Sequence, residues 1–321
     1  MMLENNQHYQ LDILGEPYER TILELKEDYE GPVVATLVHK KNAEKTKKAV
    51  LYVHGYIDYF FQTEMAEQFT IHGYDFYALD LRKYGRSYRS HQSLFGVRDL
   101  QEYDEEITKA LHIIGDEGHD TIVMCGHSTG GLILTYYAIR HPQHPLIKAL
   151  WLNSPFYDFN VDPLTKKMGI PFASWLAGIF PHLKLPNGLN KYYARSLHSD
   201  HAGEWNFDLQ WKPLDFPYSS IQFIKAVHRV HQVLASGPKV TIPTLVMYSS
   251  QSKNPKDWNE EVTKSDLVLD VKSIEYQAHK LKGDVTTMSI QDGLHDLVLS
   301  SPAVRRSVYS RLFAWLQEKG I

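Results

Sequence analysis

The sequence predicts an α/β protein: a mostly parallel central sheet, flanked by helices, carrying an inserted helical cap. Short apolar runs alternate with segments of helical spacing along residues 21–155. That rhythm stops at about Phe156 and is absent to about Val240. It resumes with TIPTLVMYSS (241–250) and VTTMSI (285–290). Residues 1–155 and 241–321 therefore read as one core, and 156–240 as a helical cap (lid) inserted into it, in a chain of 321 residues.

Taken in order, TILELKE (21–27) and PVVATLVHK (32–40) read as strands joined by a turn at EDYEG. KAVLYVHG (48–55) is a continuous apolar run ending in Gly, as in a strand buried on both faces. Phe60 to His72 has helical spacing and stops at Gly73, and YDFYALD (74–80) is the next strand. Leu100, Tyr103, Ile107, Leu111 and Ile114 recur at helical intervals within 98–114. TIVMCG (121–126) is a strand, Thr129 to Arg140 a helix closed by Pro142, and IKALWLNSP (147–155) a strand. Such alternation implies right-handed crossovers and parallel pairing. No strand is expected in 156–240, where SSIQFIKAVHRVHQVLA (219–235) is an amphipathic helix. Val304 to Glu318 closes the chain as a helix.

Composition narrows the function. With 43% hydrophobic residues a sizeable core forms, and a net charge of −4 without a basic block argues against a nucleic-acid partner. The lone cysteine, Cys125, excludes a disulfide framework within the chain and suits a cytoplasmic setting. The N-terminal MMLENNQHYQ has no apolar leader core. The most lipid-like stretch, 168–183, is short for a membrane span and broken by Pro171 and Pro181, so the protein reads as soluble.

Chemistry concentrates at CGHSTGG (125–131), where a buried strand meets a helix. In a G-x-S-x-G elbow the serine sits in a strained turn, and its hydroxyl projects above the sheet edge. Ser128 is thus a candidate nucleophile, with Gly126 and Gly130 admitting the neighbouring backbone. The amide of Thr129 would donate to an oxyanion, and that of Tyr56, in the loop after an earlier central strand, would complete the pair. His54 is expected to brace that loop. The base should lie after the last strand, which singles out His295 among 17 histidines. For the acid, the loop 250–270 offers Asp257, Glu260, Glu261, Asp266 and Asp270. Asp266 precedes the anchoring apolar triplet Leu267-Val268-Leu269 and is preferred; Asp270 is second, and either could cap the following helix. His228 and His231, one helical turn apart, have metal-ligand spacing but read as helix surface. No metal or organic cofactor is expected: no G-x-G-x-x-G, P-loop or H-E-x-x-H occurs. Phe172, Trp175, Leu176, Ile179 and Phe180 suit an apolar cap over an acyl or aryl group, or contact with a lipid interface. Tyr56 and His127, with Phe172, Trp175 and Leu176, are the candidate substrate-binding residues.

GHSTGG, HGYIDYF, DLRKYGRS (80–87) and the order Ser…Asp…His resemble the α/β-hydrolase superfamily. The resemblance is narrower to its monoglyceride lipase and lysophospholipase-like branch, the serine aminopeptidase-type hydrolases. PHLKLPNGLN and FIKAVHRVHQVL are similar to cap segments of that branch, and the likeness covers most of 30–318. It implies a serine hydrolase acting on carboxylic esters through an acyl-enzyme on Ser128, with a small-molecule ester such as a small acyl or aryl ester, monoacylglycerol or lysophospholipid as substrate. It also implies that the acid lies in a D-x-x-V/C-D segment some thirty residues before the histidine. Asp266-Leu-Val-Leu-Asp270 fits, with His295 29 residues beyond Asp266. The chain departs from the pattern in three places. Lys83 replaces a glycine of D-x-R-G-x-G-x-S. HGYIDYF stands for HGxG, giving a bulkier and more polar pocket mouth. SKNPKDWNEEVTK lengthens the loop before the acid. An aminopeptidase, with a cap carboxylate (Asp200, Glu204 or Asp208) recognising a free amino terminus, is the alternative activity. A catalytically silent ligand-binding module is the alternative of another class.

Overall fold

The computed structural model describes residues 8–321. Met1–Gln7, part of the segment read as lacking a leader, lie outside the described residues. The strands are β1 (Gln10–Leu11), β2 (Glu19–Glu24), β3 (Val34–Lys40), β4 (Lys48–Val53), β5 (Asp75–Asp80), β6 (Thr121–His127), β7 (Ile147–Asn153), β8 (Lys184–Pro186), β9 (Tyr218–Ser220), β10 (Thr244–Ser249) and β11 (Val285–Ile290). All but β8 and β9 form a nine-stranded sheet in the order β1-β2-β3-β5-β4-β6-β7-β10-β11. β2 and β3 form the expected hairpin, Glu24 opposite Val34, and β3 runs antiparallel to β5. From β5 to β11 every pairing is parallel. β4, β5 and β6 are buried along almost their whole length, which is why they read as unbroken apolar runs.

Helices cover both faces. α1 (Thr63–Ile71) and α8 (Pro302–Glu318) pack Met65, Phe69, Val308, Leu312 and Trp315 on one side. α2 (Asp104–Asp116), α3 (Thr129–Arg140) and α7 (Val271–Lys280) pack Ile107, Leu111, Leu132, Tyr137 and Ile274 on the other. The helix expected from Arg98 opens instead as a 3₁₀ turn, Leu100–Tyr103. The Asp99 side chain accepts from the Gln101 amide there, and Glu102 closes a capping box.

Between β7 and β10 lie α4 (Ile170–Leu176), α5 (Tyr192–Leu197) and α6 (Ile221–Ala235). The expectation of no strand here is corrected: β8 and β9 pair antiparallel, Lys184 opposite Ser220. Three-residue strands, one ending in Pro186, leave no alternation to read. α6 buries Val227, Val230 and Leu234 in the main core, so the inserted segment merges with the core before Val240. No helix among the described residues is long and apolar enough to cross a membrane. Pro171 lies in the first turn of α4, which follows directly on a π-helical turn over Thr165–Gly169 and ends at Leu176, so the apolar 168–183 stretch is short helix and loop.

Candidate active site

Ser128, His295, Asp266, Tyr56 and Thr129 converge at the carboxyl edge of the parallel strands, where open α/β sheets place their ligands. Ser128 joins β6 to α3 with φ 50° and ψ −116°, a conformation that costs a non-glycine residue about 1–3 kcal/mol. Close packing holds it there. A Cβ on Gly130 would lie 2.2 Å from the Val53 carbonyl oxygen, and one on Gly126 would lie 2.7 Å from that of Gly130. The Ser128 N–H donates to the Asn153 carbonyl at 3.0 Å. The elbow is thus stitched to both neighbouring strands.

His295, in the loop after β11, places Nε2 3.0 Å from Ser128 Oγ. Its Nδ1 lies 2.8 Å from Asp266 Oδ2. Asp266 is fully buried, and its Oδ1 accepts from the amides of Val268 and Leu269, each at 2.8 Å. Two backbone amides of the apolar triplet thus fix the Asp266 carboxylate. Asp270 faces elsewhere: it caps α7, accepting from the Lys272 amide at 3.2 Å and from Ser273 Oγ at 2.7 Å. The lengthened loop does not displace the acid because it is tied off at its base. The Asp266 amide donates to Gln251 O at 3.0 Å, and the Lys253 amide to Asp266 O at 3.0 Å.

The loop after β4 carries Tyr56. His54 braces it: Nδ1 donates to Gly55 O at 2.8 Å while Nε2 accepts from the Leu81 amide at 3.0 Å. That pattern needs a neutral ring, and burial pushes the imidazole pKa down accordingly. Ile57 takes the place of the second glycine of HGxG with φ 56°, a strained setting for a β-branched residue. DLRKYGRS supports the same loop. Asp80 accepts from the Phe60 amide at 2.9 Å and from Arg86 Nη1 at 2.8 Å, and Arg86 Nε donates to Asp12 at 2.7 Å. Lys83 sits at φ 66°, where a glycine is usual. It takes that strain with its ammonium buried against Asp28 at 2.7 Å and against Glu30. Thr129 opens α3, so its amide has no intrahelical acceptor.

A cavity of about 630 Å3 lies over Ser128, lined by Tyr56, His127, Thr129 and His295 from the core and by Ile170, Phe216, Phe223 and Ile224 from the inserted segment. Tyr56 stacks on Phe223 with centroids 4.0 Å apart. His127 Nδ1 donates to Asn153 O at 3.1 Å, and burial holds its pKa low. Phe172, Trp175 and Leu176 do not line the cavity, which corrects the expectation for them. α4 turns Ile170, Ala173 and the following Ala177 inward, leaving Phe172 60% and Trp175 62% exposed. Asp200, Glu204 and Asp208 also lie outside the lining.

The sequence reading missed Asp58 and Lys212. Both line the cavity, buried, with Lys212 Nζ 2.7 Å from Asp58 Oδ1. Burial alone would raise the Asp58 pKa, but the ammonium holds the carboxyl below its ordinary value. Asp58, four residues after His54 in HGYIDYF, was findable; nothing local marks Lys212. Asp58, His127 and Asp296 bring potential ligand atoms within 4.8 Å of one another. Lys212 already balances Asp58, and Asn153 Nδ2 donates to Asp296 at 2.7 Å, so the trio has partners without a metal. His228 and His231 do not act as a pair: His231 Nε2 donates to Phe156 O at 2.8 Å, and His228 Nε2 faces Gln232.

Comparison with known proteins gives the family and the fold. The family model described as serine aminopeptidase, S33, matches residues 44–254. A bifunctional esterase/perhydrolase from Acinetobacter calcoaceticus is 30% identical over 82 residues, which is 26% of this chain and 27% of that protein. The crystal structure of a monoacylglycerol lipase from Paleococcus ferrophilus aligns with 88% of this chain and 99% of its own at TM-score 0.65 and 19% identity. A soluble variant of the Saccharomyces cerevisiae monoglyceride lipase, in complex with a substrate analogue, aligns with 92% and 94% at TM-score 0.65 and 19% identity. The chain belongs to the serine aminopeptidase S33 family and has the α/β-hydrolase fold of the monoglyceride lipases it resembles.

Proposed function

We propose that the protein is a serine esterase that cleaves carboxylic esters through an acyl-enzyme on Ser128. The observation that carries this reading is the continuous chain Ser128 Oγ–His295–Asp266, at 3.0 and 2.8 Å, on the floor of an apolar-walled cavity. His295 Nε2 takes the Ser128 proton as Oγ attacks the ester carbonyl, and the amides of Tyr56 and Thr129 receive the oxyanion. His295 then protonates the leaving alcohol, and a water activated by the same imidazole frees the acid and restores Ser128. Asp266 holds the Nδ1–H tautomer and stabilises the imidazolium.

Residues 156–240 act as the cap over this cavity. Its aromatic wall, Phe216, Phe223 and Tyr56, suits the acyl or aryl part. The Asp58–Lys212 pair offers an acceptor and a donor to a hydroxylated alcohol part, as in a monoacylglycerol. The outward stripe of Leu164, Met168, Phe172, Trp175 and Ile179 is exposed and suits transient contact with a lipid surface that supplies such esters. The lone buried thiol, Cys125, is the support for a cytoplasmic setting.

A peptidase would need a free carboxylate for an amino terminus. The cavity carboxylates already have their charge balanced or serve as a cap: Asp58 by Lys212 through Oδ1, with Oδ2 still open to a neutral donor, Asp215 by Arg195 at 2.8 Å, and Asp270 at the α7 cap. Turnover of p-nitrophenyl esters of graded chain length against aminoacyl anilides tests the reading. Esters are expected to be cleaved with the higher kcat/KM; anilides turned over faster than every ester would overturn it.

A further inference from the structure

We propose that Asn153 is a positioning residue that keeps the nucleophile and the base in register through the whole cycle, an inference that rests on Ser128 and His295 having those roles. The Ser128–His295 hydrogen bond cannot do this alone. It is lost once Oγ is acylated, yet deacylation needs the imidazole in the same place to activate water. Some other tie between the two loops must survive acylation.

Asn153, at the end of β7, supplies it from both ends of one residue. Its carbonyl accepts from the Ser128 N–H at 3.0 Å and from His127 Nδ1–H at 3.1 Å. Its side chain turns to the base loop: Nδ2 donates to Asp296 Oδ1 at 2.7 Å, and Oδ1 accepts from the Leu297 amide at 3.2 Å. Asp296 follows His295 directly. The tie is dry, with Asn153 at 1% and Asp296 at 0% exposure.

Asp296 is a buried carboxylate held by neutral donors. Besides Asn153, Oδ1 accepts from the Val298 amide at 3.2 Å and Oδ2 from Gln62 Nε2 at 3.3 Å, both longer contacts. His127 Nδ1 stands 4.0 Å away and is kept neutral by burial. Tyr193, from α5, pins the same residue from the cap side, its hydroxyl accepting from the Asp296 amide at 3.1 Å. The position must donate to a carboxylate and accept from an amide through one planar group, which a carboxamide does and a carboxylate or hydroxyl does less well.

Asn153→Asp keeps the acceptor for Leu297 but removes the donor to Asp296 and sets a second carboxylate against it, where like charges in contact repel. For this variant kcat should fall ~10–100-fold at pH 8, the scale of a small misplacement, with KM little changed. Its kcat relative to that of the wild type should recover as the pH is lowered and the carboxylate pair takes up a proton. The double variant Asn153→Asp/Asp296→Asn reverses the donor and acceptor and should restore kcat at pH 8. The rate at which a fluorophosphonate modifies Ser128 should follow kcat in each protein. A single variant with wild-type kcat and labelling rate at pH 8 overturns the proposal. So does a folded double variant as slow as the single one. Where the single variant fails to fold, the double variant decides alone: kcat near wild type supports the proposal, and a folded double variant slowed ~10–100-fold overturns it. A wild type that does not label at all removes the assignment of Ser128 instead, so the two failures are distinguishable.

Discussion

Replacing Asp266 by Asn separates the two candidate acids and tests how the triad is wired. The variant keeps the size of the side chain, but its amide has only one acceptor oxygen. Two backbone donors, the amides of Val268 and Leu269, approach Oδ1 at 2.8 Å. The asparagine oxygen therefore stays there, since the reverse orientation would set its NH2 against both donors. Its NH2 then faces His295 Nδ1, 2.8 Å away in the wild type. Nδ1 must become the acceptor, so the ring proton moves to Nε2, the nitrogen 3.0 Å from Ser128 Oγ. A protonated Nε2 cannot take the serine proton. Forcing the wrong tautomer in such a triad costs about 10⁴-fold in kcat, or about 5.4 kcal/mol of barrier at 1.36 kcal/mol per tenfold. Asp270→Ala is the control. It removes the α7 cap and should cost about 1 kcal/mol of stability, with kcat nearly unchanged. Steady-state hydrolysis of a p-nitrophenyl ester and thermal midpoints of both variants give the readout. An Asp266→Asn enzyme within ~10-fold of wild type, or an Asp270→Ala enzyme equally impaired, would refute the wiring.

Other perturbations have outcomes set by the same structure. His39 lies buried between Tyr9 and Tyr77 with neither ring nitrogen hydrogen-bonded, and burial pushes its pKa down to about 4. The unfolded chain, with its histidine near 6.5, takes up a proton first as pH falls, so this group withdraws stability between about pH 6.5 and 4. His39→Phe should therefore gain about 2 kcal/mol at pH 5 relative to pH 8, read by urea unfolding at both; an equal effect at the two pH values would contradict this. Lys83→Met strands Asp28 and the partly exposed Glu30, and should destabilise by about 2–3 kcal/mol in denaturant melts; an unchanged midpoint would count against the ion pairs. Phe172→Glu with Trp175→Glu should weaken sedimentation with lipid vesicles while leaving kcat on a soluble ester unchanged. Equal vesicle binding would remove the interfacial role of the stripe.

The core was legible where local pattern and tertiary role coincide. β6, the GHSTG turn and α3 announce themselves because a doubly buried strand, a crowded turn and a helix each demand their residues in one contiguous stretch. β11 and His295 followed from order alone. The choice between Asp266 and Asp270 was left open because both flank the same apolar triplet. The Gln251–Asp266 pairing decides which of them turns inward, and it closes a loop whose ends are distant in sequence. Phe172 and Trp175 were placed over the cavity because their apolar character was plain. The face they occupy was not, since Ile170, Ala173 and Ala177 supply a second apolar edge on the same segment. Lys212 and Asn153 meet partners far along the chain, and no spacing rule reaches them; Asp296 adjoins His295, but its contacts to Asn153 and Gln62 are just as distant in sequence.

Mass spectrometry of the intact protein after a short exposure to a fluorophosphonate bears most directly on Ser128 as an activated nucleophile. The wild type should gain a single adduct that maps to the peptide spanning Cys125–Gly131, and Ser128→Ala should gain none. An unmodified wild type, or an adduct that persists in Ser128→Ala, would contradict it.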